Sequence, residues 1–168
     1  QGSLFITLVL VALASLVLGM GLPVTASYIV LATLSAPLIY DLISQSALLD
    51  ALITGMQAGD LPSNVAATLS LFGGDPLVAL QEMPLEMKQL IRQEMLPAEL
   101  LTGMLLSAHL IIFWLSQDSN VTPPVCLASF AAAGIAGTNP MATGITSWKV
   151  AKGLYLVPIL FAYSPLIS

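Results

Sequence analysis

Apolar residues run nearly unbroken at both ends of the chain, and a polar, amphipathic stretch separates them. The first run, Leu4–Leu18, is apolar apart from Thr7 and Ser15 and falls short of the roughly 20 residues that cross a bilayer. Gly19-Met20-Gly21-Leu22-Pro23 ends it. Two glycines and a proline in five positions disfavour continuous helix, through chain flexibility and a missing N–H. The apolar pattern resumes at Val24 and lasts to Tyr40, with Pro37 near its end. This predicts a membrane helix broken in mid-membrane, or two helices joined at a tight break.

The middle of the chain reads differently. Gly59-Asp60-Leu61-Pro62 and Gly73-Gly74-Asp75-Pro76 are turn signals. Met83, Met87, Leu90, Ile91 and Met95 recur at near-helical spacing with Glu86, Lys88, Arg92 and Gln93 between them, which predicts an amphipathic helix. It could lie on the membrane surface, cap the protein or offer a groove to a partner.

Two further short apolar runs, Leu100–Leu115 and Val125–Ala136, flank the polar, proline-rich Ser116–Pro124. Sub-spanning runs on either side of a polar tip predict a re-entrant hairpin. Gly137-Thr138-Asn139-Pro140 makes another break, and a last helix follows from about Met141 through Ala162, interrupted at Pro158. Residues 1–40 therefore read as a broken membrane helix pair and 41–97 as an amphipathic extramembrane insertion. Residues 98–137 read as a re-entrant hairpin with a polar tip, and 138–168 as a broken terminal membrane helix. The fold class is all-α, a polytopic membrane protein.

Composition supports lipid as the solvent. Hydrophobic residues make up 57% of the 168 residues and charged ones 8%, against about 25% in soluble domains. Mean hydropathy is +0.95. Every acid except Asp118 lies between Asp41 and Glu99. A net charge of −5 with four Lys and Arg excludes a nucleic-acid partner. Cys126, the single cysteine, excludes an intrachain disulfide and a multi-cysteine zinc site, and its apolar neighbours make it a small buried hydrophobe. Phosphate loops, Ser-His-acid arrangements and metal-ligand clusters are absent from the sequence, so no enzyme chemistry is expected. Gln1-Gly2-Ser3 has no initiator Met, and the chain reads as an excerpt of a longer protein.

The three breaks, Gly19–Pro23, Ser116–Pro124 and Gly137–Pro140, are where chemistry is expected. A broken helix leaves carbonyls at one half-helix end and N–H groups at the other, and in hydrocarbon these need a partner. Carbonyls suit a hard cation, and helix N-termini suit an anion. Interrupted hydrophobic segments are the sequence mark of a transporter binding site, against the plainer reading of each break as a kink. Asp118 is the one acid in the apolar regions, an ion ligand or else an interfacial cap. His109 reads as a hydrogen-bonded packing residue before a proton relay. Trp114 and Trp148 read as interface anchors. Lys149 and Lys152 mark the more polar end of the last helix.

Three stretches carry a resemblance to a known family: Gly19-Met20-Gly21-Leu22-Pro23-Val24-Thr25-Ala26-Ser27-Tyr28, with its continuation to Pro37; Ala108-His109-Leu110 through Ser119-Asn120-Val121-Thr122-Pro123-Pro124-Val125; and Ala131–Gly144, with Gly134-Ile135-Ala136-Gly137-Thr138-Asn139-Pro140. Here the chain resembles the large membrane subunit of tripartite ATP-independent periplasmic (TRAP) transporters, above all the fused permeases that work with TAXI-type binding proteins. The resemblance covers about two-thirds of the chain. It implies half of an elevator-type transport domain in a bacterial inner membrane, driven by sodium and with no other cofactor. It also implies a periplasmic solute-binding protein that delivers an organic acid, and a small membrane subunit or its fused equivalent. Carried onto this sequence, sodium would be held at Gly19, Gly21, Pro23, Thr122, Pro124, Gly137 and Pro140, and substrate at Thr25, Ser119, Asn120 and Thr122. The chain departs from the family in roughly Ser44–Pro97, which reads as an insertion, and in lacking a scaffold and a first hairpin half. A structural membrane protein that docks partners through residues 41–97, or a channel, are the competing expectations.

Overall fold

The computed structural model describes residues 4–163; the outermost residues of the first and last predicted segments, 1–3 and 164–168, lie outside it. Helix α1 (Leu4–Gly19) is apolar all round: Leu8, Val11, Ser15 and Gly19 face inward, while Ile6, Leu10, Leu13 and Val17 stay exposed. A helix without a polar face belongs in lipid. After the turn at Met20–Leu22, α2 begins at Val24. Leu8 and Ile39 lie in one core cluster, although an unbroken helix would hold them about 46 Å apart. The break therefore folds α1 back along α2, which settles the sequence alternatives in favour of two helices and a tight turn.

Helix α2 (Val24–Ala58) is 35 residues long and runs through Pro37 and past Tyr40, where the sequence suggested the apolar segment ends. Pro37 is exposed, so its ring meets no packed neighbour, and Ile39, Asp41, Ser44, Leu48 and Leu52 keep an inward face at helical spacing. Gly59, left-handed at φ 69°, ends it, with the Gly59 and Asp60 amides on the carbonyls of Met56 and Gly55. At about 52 Å the helix exceeds the roughly 30 Å of bilayer hydrocarbon. Its two halves serve two cores.

The second half packs against three short helices. They are α3 (Ser63–Leu71), α4 (Pro76–Glu82) and α5 (Leu85–Met95). Both predicted turns form where expected. Gly73 and Gly74 take positive φ, and the Asp75 side chain caps α4 by accepting from the Leu77 and Val78 amides at 2.8 and 3.3 Å. Leu48, Leu52, Val65, Leu69, Leu80, Met83 and Ile91 form a core of their own. On the predicted amphipathic helix Ile91 is buried, but Leu90 is 67% exposed. The sequence had no sign of one further contact: Arg92 is 1% exposed and reaches Asp41 of α2 at 2.5 Å, with Lys88 3.4 Å from the same carboxylate.

Helix α6 (Ala98–Gln117) returns along the first half of α2, and Ala108, Ile111, Ile112 and Leu115 close the membrane core with α1 and α2. At 20 residues, and 23 with the 3-10 turn Asp118–Asn120, it is long enough to cross a bilayer, which corrects the sub-spanning length read from the sequence. The next helix, α7 (Leu127–Ala136), is only 10 residues long. Then come α8 (Pro140–Val150), a 3-10 stretch (Ala151–Tyr155) and α9 (Leu156–Tyr163). The interruption falls at Ala151–Tyr155; Pro158 sits in the first turn of α9, where a proline costs no hydrogen bond. Three segments, Val24–Ala58, Ala98–Asn120 and Pro140–Tyr163, are long and apolar enough to span a membrane. Among the described residues there is no strand, and the chain is a polytopic helical membrane protein.

Candidate functional site where two helix breaks meet

Two of the three breaks are in contact. Gly19, the last residue of α1, is buried, and a Cβ built on it would collide with both Cβ and Oγ of Ser119 in the tip after α6. Glycine is therefore required at 19 by the close approach of the tip, not by its backbone angles. Ser15, one turn earlier, donates to the Leu115 carbonyl at 2.5 Å, which ties α1 to the last turn of α6.

The prolines leave carbonyls open at this contact. In a continuous helix each carbonyl accepts from the N–H four residues on. For Gly19 that residue is Pro23, for Ser119 Pro123 and for Asn120 Pro124, none of which has an N–H. The turn amides are otherwise used: Met20 bonds to the Val17 carbonyl, and Gly21 and Leu22 to that of Leu18. The tip is a compact knot. Asp118 carbonyl accepts from the amides of Val121 and Thr122 and from the Thr122 hydroxyl, and the Thr122 carbonyl accepts from Val125 and Cys126. The Pro123–Pro124 peptide is cis.

Tyr155, outside every motif read from the sequence, holds the tip from the other side through a 2.5 Å hydrogen bond between its hydroxyl and that of Thr122. Tyr155→Phe is expected to loosen the tip by about 0.5–1.5 kcal/mol, the worth of one such bond, measured as a lowered melting temperature of the whole permease. Cys126 is fully buried at the end of the tip, and Gly144 of α8 lets its sulfur approach.

The other predicted site residues fall around this centre. Ser119 and Thr122 are buried, Asn120 is half-buried, and Gly21, Pro23 and Pro124 are exposed. Thr25, in the first turn of α2, is exposed and lines a 410 Å³ groove with Tyr28, His109, Phe113 and Gln117. His109 Nδ1 lies 3.1 Å from the Tyr28 hydroxyl, a hydrogen bond that ties α6 to α2 at the groove. Pro23 caps α2 without a side-chain hydrogen bond, as prolines do at the starts of α3, α5 and α6, so no side chain of the cap uses the first amides of α2. The third break is not joined to the other two: Gly137, Thr138, Asn139 and Pro140 are all exposed, and Asn139 caps α8 through the Ala142 amide.

What the site can do follows from these parts. It offers oxygen ligands at one pair of helix ends, with Gly19, Ser119 and Thr122 buried, and the amides of the first turn of α2 beside them at the surface. That set fits a hard monovalent cation and an adjacent anion. Comparison with curated proteins and with solved structures gives no match. The family model described as tripartite ATP-independent periplasmic transporter, DctM component, matches residues 1–167. A match over this length places the protein in the DctM family of TRAP transporter membrane components.

Proposed function

We propose that this chain is the transport-domain half of a sodium-coupled permease that takes up an organic acid delivered by a periplasmic solute-binding protein. It would do so in a bacterial inner membrane, with the rest of the permease and a small membrane subunit or its fused equivalent. The contact between Gly19 and Ser119 carries the reading. It brings together two chain segments whose prolines cannot supply the amides that the Gly19, Ser119 and Asn120 carbonyls would accept from in a continuous helix. The polar tip and the short arm α7 support a re-entrant hairpin, whereas the arm α6 is of spanning length.

Sodium bound between the Gly19–Pro23 turn and the Ser119–Pro124 tip would draw the two together. That would fix the open amides at Val24 and Thr25 and the side chains of Ser119, Asn120 and Thr122 for a carboxylate. Positive charge at the break lowers the cost of bringing an anion into lipid. Ion and substrate binding are then one coupled event, and the loaded domain moves across the membrane. Substrate should bind the full permease in sodium buffer and at least about tenfold more weakly in choline, a coupling of ordinary size. Equal affinities in the two buffers would remove the coupling.

A further inference from the structure

The tip contains an acid that the reading above leaves unused. Asp118 opens the 3-10 turn after α6 and is 3% exposed. Its Oδ1 is buried and has no hydrogen-bond partner among the described residues. Both ion pairs among the described residues end on Asp41, so no basic side chain neutralises it. Lys149 and Lys152 are exposed. The last carbonyls of α6 add partial negative charge beside it. A buried carboxylate at a helix C-terminus with a free oxygen has the field and the lone pair of a cation ligand.

We infer that Asp118 binds the coupling cation directly, supplying a formal negative charge that the carbonyls of Gly19, Ser119 and Asn120 cannot. This rests on the sodium-coupled reading of the tip and gives that site its charge. One monovalent ion on Asp118 makes the site electrically neutral, so the organic acid that follows is not repelled by a free carboxylate.

The test uses the whole purified permease, melted at increasing sodium chloride with choline chloride holding ionic strength constant. Wild type is stabilised by sodium, since an ion that binds only the folded state raises its stability. Asp118→Asn keeps the shape and removes the charge. Its half-maximal sodium concentration should rise at least about tenfold, the effect of losing a charged partner. In choline alone it should melt no lower than wild type, because an uncompensated charge has been removed. Asp118→Glu should retain sodium stabilisation. An unchanged sodium midpoint in Asp118→Asn overturns the assignment while leaving sodium coupling intact. So does equal loss in the Asn and Glu variants, or an Asn variant that melts lower in choline, which would mark a packing role. No sodium effect on wild type removes the coupling itself and this assignment with it.

Discussion

Gly19→Ala is expected to abolish sodium-dependent uptake, and Ser119→Gly in the same chain to restore part of it, at a lower substrate affinity because the Ser119 hydroxyl is lost as well. The added methyl at position 19 would overlap Cβ and Oγ of Ser119. Oγ could rotate away, but Cβ is fixed to the tip backbone, so the tip or the end of α1 must shift. Overpacking of this kind costs about 1–3 kcal/mol. On the proposed mechanism the larger loss is functional, because the Gly19–Pro23 turn and the Ser119–Pro124 tip could no longer close on one ion. Ser119→Gly removes both colliding atoms and reopens the space. Gly134 of α7 serves as control, since a methyl there meets nothing within 4 Å. Gly134→Ala should transport like wild type. Substrate uptake into vesicles containing the reconstituted permease, with a sodium gradient, measures all four proteins. Wild-type uptake by Gly19→Ala, or failure of the double variant to recover any, would show that the contact is not where transport is controlled.

The sequence marked the positions of the breaks but not their partners. Gly19 and the Ser116–Pro124 cluster stand out because glycine and proline act locally, on the backbone of their own segment. That the first two breaks touch, and that Gly137–Pro140 stays apart at the surface, depends on how α1 folds back and how α6 runs. No local signal encodes either. Tyr155 is invisible for the same reason: its partner Thr122 lies 33 residues away, and no motif surrounds it. The length of α2 escapes the sequence on different grounds. Tyr40-Asp41 ends the apolar pattern, and that polarity reads as the end of the membrane segment. The helix continues because its inward face changes cores, from Leu31, Ala36 and Ile39 to Leu48 and Leu52, without changing period. Asp41 falls between these two sets.

Asp41→Asn should cost the permease about 3–5 kcal/mol, the usual penalty for leaving a buried charge without its partner. Arg92 is 1% exposed, lies 4.8 Å over the Tyr40 ring, and has Nε and one terminal nitrogen already unpaired. Asp41 is its one anionic contact among the described residues, at 2.5 Å. Lys88 is half-engaged at 3.4 Å and partly solvated, so Lys88→Gln should cost under about 1 kcal/mol. The double variant Asp41→Leu with Arg92→Met replaces the pair by apolar side chains and should recover most of the loss, since no charge is then stranded. Thermal unfolding of the four proteins, with protease cutting at the Gly59–Pro62 and Gly73–Pro76 turns, separates two origins of the effect. If the pair joins α5 to α2, Asp41→Asn exposes both turns to protease before the membrane helices melt. If Asp41→Asn and the double variant lose equal stability with no change in cutting, the pair does not hold α3–α5 against α2. Where the pair does hold, the ion pair fixes α3–α5 to the helix that begins just after Pro23, so any movement of that break carries them with it.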